Sequence, residues 1–375
     1  MGTSSDSFLA RDQCCRNNFG AIRLVLASLV ILSHSYPAMH GSFAGEMLWD
    51  ATRGQMELGA LAVNLFFATS GYLITLSWLR TPQLGTFLTK RVLRIYPGFV
   101  LASVISLLVV APLAGAEAGV AFAPLQIVKH VARVVLLSAP KAIGVFEGHH
   151  IEVLNLSLWT IRYEFICYLL VPVICVLAGR LGRSGVLLLY AASLIWHASQ
   201  GRYLVEEGGI EFPLLGSTLI WPRFICYFLG GMVLAMYRDV VPHRRWLLGL
   251  SVAMLLIAAR WGNGFFIVFA VAGSYALFFV AYEQLIPVSN IGRRWDLSYG
   301  AYLYGWPVEM LFVHYLGDRL GPWAIFALAL PVALGLAALS WHFIEEPFLR
   351  AKAKLDKPSN ELDRPGALAA SAAKT

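Results

Sequence analysis

Charge is scarce in this sequence. Asp, Glu, Lys and Arg make up 14% of its 375 residues, where an ordinary soluble domain carries about 25%. With 58% hydrophobic residues and a mean hydropathy of +0.67, this excludes a conventional water-soluble fold and puts the chain in lipid. Cysteine is scarce too. Cys14, Cys15, Cys167, Cys175 and Cys226 include no CxxC pair and none falls in a predicted outer loop, so neither a disulfide framework nor a cysteine metal site is expected. Cys14 and Cys15 offer only a weak lipidation signal. No internal repeat and no separate soluble domain stand out. The formal charge of +7 is therefore a matter of membrane topology, and no nucleic-acid partner is expected.

Long apolar runs are abundant. An all-α integral membrane protein is expected, a bundle of about ten helices at 19–36, 59–79, 96–114, 156–178, 184–198, 221–237, 246–260, 264–282, 297–316 and 322–343. The stretch 122–140 is apolar but carries Lys129, His130 and Arg133, and reads as an interfacial or re-entrant helix. Of the 29 lysines and arginines, about nineteen fall in segments on the cytoplasmic side of the membrane and about seven on the outer side if both termini are cytoplasmic. That asymmetry selects ten spans with both ends inside. The domain plan is a cytoplasmic leader at 1–18, a transmembrane domain at 19–350 and a disordered cytoplasmic tail at 351–375. The first apolar run follows a polar leader and carries Arg23, as a retained anchor does and a cleaved signal does not.

Ionisable residues inside a membrane are costly and mark function by default. Arg23 and His34 bracket the run "RLVLASLVILSH". Eleven helical steps put them roughly 16 Å apart along the axis and, at close to three turns, on one face. Either alone reads as a snorkelling arginine or an interfacial histidine; together they favour a shared cavity. In "KRVLRIYP", Arg91 and Arg94 lie on one side of a predicted helix start. They read either as inner-surface charge or as a phosphate clamp suited to guanidinium forks, with Arg23 at a similar depth. In "NLSLWTIRYEFICYLL", Glu164 falls near mid-membrane, below a polar collar of Asn155, Ser157, Trp159 and Thr160. Pairing of Glu164 with an arginine of another span is an open alternative.

Other features carry less. His149 and His150 stand beside Glu147 and Glu152 in an outer loop, without the further ligands a metal site needs, and no metal is expected. Ser70 in "LFFATSGYL" lacks a nucleophile-elbow context and reads as a packing residue beside Gly71. Glu345 and Glu346 close the last span and read as anchors for the inner loops.

These residues, in this order, resemble acyltransferase family 3, integral membrane proteins that O-acylate bacterial polysaccharides. The resemblance rests on Arg23-x10-His34, "AVNLFFATSGYLIT", "KRVLRIYP", "LSLWTIRYEFICYLL", "LSYGAYLYGWPVEM" and "WHFIEEPFLR", and covers about residues 19–350. It implies a bacterial inner-membrane O-acetyltransferase that uses cytoplasmic acetyl-CoA and a polysaccharide or lipid-linked sugar acceptor. His34 would be the central catalytic residue and Arg23, Arg91 and Arg94 donor-binding; Glu164 is a second catalytic candidate, placed to orient His34, contact the sugar or pair an arginine. Asn155, Ser157, Trp159 and Tyr304 would contact the acceptor. One departure is visible: many members carry a histidine where this chain has Gly305. A transporter or flippase of lipid-linked sugars is the rival reading, since intramembrane Arg, His and Glu also suit a transport path. A non-catalytic acyl-CoA sensor is a third.

Overall fold

In a computed structural model, the chain is described over residues 7–14, 17–116, 123–200, 210–283, 288, 290–292 and 295–354. The expected tail beyond 354, and Cys15, Arg16, Arg293 and Arg294, lie outside the described residues.

A helix stands at each of the ten predicted places. They are α1 Phe19–His40, α2 Leu58–Arg80, α3 Leu84–Leu113 and α4 Leu156–Arg180, α5 Arg183–Gln200 and α6 Trp221–Met236. Then follow α7 Arg245–Arg260, α8 Phe265–Tyr282, α9 Ser298–Leu316 and α10 Pro322–Arg350. Six of them (α1, α2, α3, α4, α8 and α10) are long and apolar enough to cross a membrane by length and composition. The protein is a multi-pass membrane protein, but ten uniform spans is not what the helices show. α6 and α7 have 16 residues each, a rise of about 24 Å against a core of about 30 Å. α9 falls short by polarity: Ser298, Tyr299, Tyr302, Tyr304 and Glu309 are buried within the bundle, while Tyr315 near its end is exposed.

Two boundaries differ from expectation. α3 starts at Leu84, not near 96, and runs through Pro97. A proline removes one helical hydrogen bond, which a helix packed on its neighbours tolerates. Arg91 and Arg94 therefore sit inside a helix, about two and three turns from its start. α1 likewise continues through Pro37 to His40 and ends on Gly41 in the left-handed conformation, whose N–H donates to the Pro37 carbonyl. The 122–140 stretch holds a helix of 12 residues, Pro124–Val135, about 18 Å long and too short to cross. Leu125, Val128, Val131 and Val135 are exposed along one face, as an interfacial helix requires.

Small residues set the helix contacts, because between helices in lipid close packing replaces the hydrophobic drive. A Cβ on Gly71 of α2 would stand 2.0 Å from the Phe228 carbonyl oxygen of α6, and one on Gly231 of α6 2.0 Å from the Ala68 carbonyl oxygen of α2. α9 packs between α1 and α10: a Cβ on Gly305 would meet Ile31, and one on Gly300 would meet Ala337, both at 2.7 Å. At the leader, Phe8–Cys14 forms a short helix docked under the bundle, with Phe8 buried against His243 and Tyr275.

Candidate active site

Near one end of the bundle a carboxylate gathers two arginines. Asp296, in the loop entering α9, accepts from Arg23 of α1 at 2.8 Å and from Arg94 of α3 at 2.6 Å, both through Oδ2. Its Oδ1 accepts from the Ser298 hydroxyl at 2.5 Å. Burial works against ionisation of Asp296, but Arg23, Arg94 and the Ser298 hydroxyl and N–H outweigh it and hold the carboxyl well below the usual carboxylate range. Glu345 of α10 lies 3.7 Å from the other Arg94 terminal nitrogen, and the Tyr299 ring lies 5.4 Å from the Arg94 guanidinium carbon. Glu345 is thus the anchor expected, and Glu346 instead pairs with Arg350.

Arg23 and Arg94 open onto a cavity whose wall includes Ser70, Thr160, Glu164, Tyr168 and Tyr302. Glu164 accepts from the Ser70 hydroxyl at 2.7 Å and from the Tyr168 hydroxyl. Arg162, two residues before it, instead reaches Ser138. Thr160 and Tyr302 share a hydrogen bond of 2.6 Å across the wall.

The meeting of these residues also constrains the path of the chain. The starts of α1, α3 and α9 and the end of α10 share one end of the bundle.

His34 does not line this cavity. It sits farther along α1, half-buried, with its ring edge-on to Trp306 of α9 at 5.2 Å. Its Nδ1 is buried and makes no hydrogen bond among the described residues. The next residue, Ser35, donates to the fully buried Glu309 of α9 at 2.8 Å.

Residues 16–342 match the acyltransferase domain of family 3. The chain belongs to acyltransferase family 3. An O-acetyl transferase of Shigella phage Sf6 is 28% identical over 355 residues, which cover 90% of this chain and 98% of the relative. Nodulation protein 10 of Rhizobium leguminosarum bv. viciae is 28% identical over 369 residues, covering 91% and 95%. No solved structure matches significantly.

For a membrane acyltransferase, the geometry revises several sequence assignments. Arg91 is not at the mouth with Arg23 and Arg94. It is buried behind the cavity wall, donating to Ser77 of α2 at 3.3 Å and lying 5.9 Å from the centre of the Tyr168 ring. Three residues along a helix turn the chain by about 300°, so a small rotation sends the two forks to different neighbours. Asn155 ties helices together, its amide donating to Ser106 at 3.2 Å and to the Leu303 carbonyl at 3.0 Å. Ser157 and Tyr304 are buried, Trp159 stacks on Phe224, and none of the four lines the cavity. From the collar only Thr160 reaches it, and from the α9 motif Tyr302 stands there in place of Tyr304.

At Gly305 a side chain would have little room, since a Cβ there would stand 2.7 Å from Ile31 Cγ1. Its missing Cβ is what lets Ile31 of α1 lie against α9. In the loop before α4, His149 meets His314 of α9 at 3.0 Å. Among the described residues, no group of three His, Cys, Asp or Glu is arranged to hold a metal ion.

Sequence reasoning missed Asp296, Ser70 and Glu309. Glu309 carried a usable signal, an acid inside a predicted span. Asp296 carried none, since an aspartate in a loop is ordinary. Ser70 was set aside as packing, but Gly71 does the packing and Ser70 faces the cavity.

Proposed function

We propose that this acyltransferase moves an acetyl group from cytoplasmic acetyl-CoA to a hydroxyl of an exported or cell-surface polysaccharide, or of its lipid-linked precursor. We place it in the bacterial inner membrane with both termini inside. One observation carries the reading: Arg23 and Arg94 converge on the mouth of a cavity containing Glu164, and His34 lies some 16 Å farther along the helix that carries Arg23. Two guanidinium groups suit coenzyme A phosphates, and the pantetheine arm is of the right order of length to carry the thioester toward His34. The printed name of the phage relative, an O-acetyl transferase, supports an acetyl group and a hydroxyl acceptor.

In this reading the acceptor oxygen attacks the thioester carbonyl carbon. A C–O bond forms, the C–S bond breaks, and the hydroxyl proton passes to an unpaired nitrogen of His34 and then to the departing thiolate. General-base assistance of this kind contributes typically about 10²–10⁴ in rate. The test is purified protein in nanodiscs with acetyl-CoA labelled in the acetyl group, together with NMR of surface polysaccharide from wild-type and deletion strains. Acetyl-CoA binding, coenzyme A release and loss of O-acetyl signals on deletion are expected. Protein that neither binds nor turns over acetyl-CoA would overturn the reading in favour of a flippase.

A further inference from the structure

Asp296 places a negative charge next to the two cations assigned to an anionic donor. By charge alone this should weaken donor binding. Its position gives it another role.

Asp296 is absent from the cavity wall, whereas Arg23, Arg94 and Ser298 are on it. The carboxylate therefore stands behind the two arginines. Its side chain is only 17% exposed. It takes one N–H from each arginine through a single oxygen, and a guanidinium has five to offer. The rest of the Arg23 fork, and the Arg94 donors not turned to Asp296 or Glu345, remain for a ligand in the cavity. Two guanidinium groups so near each other, in a site only partly reached by water, repel strongly without a counter-charge.

The placement of the carboxylate is built into the backbone. The loop before α9 lies on the start of α1 through glycine: a Cβ on Gly20 would stand 2.5 Å from the Ile291 carbonyl oxygen, and one on Gly292 2.8 Å from the Gly20 Cα. Gly292 has φ +72, where a side chain is strained in any case. Arg23 is three residues beyond Gly20 and on the same side of α1. The glycine contact that seats the loop thus carries Asp296 to Arg23.

We propose that Asp296 is a positioning residue for the donor, holding Arg23 and Arg94 together with their free N–H groups aimed into the cavity while touching no donor atom itself. This rests on the reading of the cavity as the donor site. The effect runs against simple electrostatics: removing this negative charge should weaken the binding of a polyanion.

The experiment is calorimetry and steady-state coenzyme A release on the full-length protein in nanodiscs. Asp296→Asn should raise Kd and KM for acetyl-CoA about ten-fold and change kcat by about three-fold or less. Asp296→Glu should recover part of that loss. In a background lacking both arginines, Arg23→Ala with Arg94→Ala, Asp296→Asn should add about two-fold or less, because the residue acts through the two arginines. Size-exclusion profiles and thermal midpoints report whether each variant folds. If Asp296→Asn does not, Asp296→Glu in the wild-type background should still show a KM rise of about three-fold with kcat retained. Unchanged or tighter donor binding in Asp296→Asn, with wild type binding normally, overturns this proposal alone. Failure of wild type to bind acetyl-CoA overturns the functional reading and this proposal together.

Discussion

Ser70 of α2 donates its hydroxyl proton to Glu164 of α4 across 2.7 Å, inside the cavity that Arg23 and Arg94 open. The carboxylate also accepts from Tyr168. A carboxylate held by two hydroxyls in a cavity is restrained as an acceptor or base, and the two substitutions should differ in effect. Glu164→Ala removes the charge and leaves both hydroxyls unpaired; turnover should fall about hundred-fold or more. Ser70→Ala removes one of two partners and should cost about ten-fold or less. Coenzyme A release by the purified variants measures both. Equal losses would show that the hydroxyl carries as much of the reaction as the carboxylate.

His34→Ala should abolish acyl transfer and leave acetyl-CoA affinity within about two-fold. The histidine lies well along α1 from the arginines and off the wall of their cavity. A loss of about 10²–10⁴ in turnover is the range for a missing general base. Substantial transfer by the purified variant would remove His34 from the chemistry.

Arg23→Ala and Arg94→Ala should each weaken acetyl-CoA binding about ten- to hundred-fold, from roughly 1.5–3 kcal/mol per charge-assisted contact to phosphate. Arg94→Lys should restore only part, because a point charge replaces a planar fork. Arg91→Ala should weaken binding less than either, since Arg91 lies behind the wall and meets Ser77 and the rings of Phe87 and Tyr168. Calorimetry with acetyl-CoA and with the dephosphorylated form sorts the contacts. An Arg91 effect equal to that of Arg94 would restore the three-arginine mouth expected from the sequence.

The turn between α2 and α3 should face the cytoplasm. Gln83 is exposed there, and a cysteine at Gln83, in a background without the native cysteines, should resist an impermeant thiol reagent in intact cells and react after lysis. Reaction in intact cells would invert the topology.

Gly305→Ala should lower the thermal midpoint, because its Cβ would lie 2.7 Å from Ile31 Cγ1 and overpacking costs about 1–3 kcal/mol. Adding Ile31→Ala should recover part of the loss, and the double-mutant cycle measures the coupling. If Gly305→Ala melts like wild type, the close approach of α1 and α9 is not what fixes glycine there.

The sequence by itself determined the solvent, the helices and the principal chemical cast. Lipid follows from scarce charge and recurring apolar runs, and all ten helix positions follow from where those runs begin and end. Arg23, His34, Arg94 and Glu164 stood out because each is expensive in a membrane, a cost readable one residue at a time. What only the tertiary structure decided is which of them meet. Arg91 and Arg94 look like one clamp in the chain and part company in the fold, because the direction of a side chain depends on helix rotation and neighbours. Asn155 proved a tie between helices, and Tyr302 took the place expected for Tyr304, since two steps along a helix turn a residue by about 200°, to nearly the opposite face. Asp296 was invisible for a deeper reason. Its role comes from 273 residues away in the chain, through a glycine contact between a loop and the first turn of α1. No local pattern records that contact, because a pair energy between distant residues exists only once the backbone has brought them together.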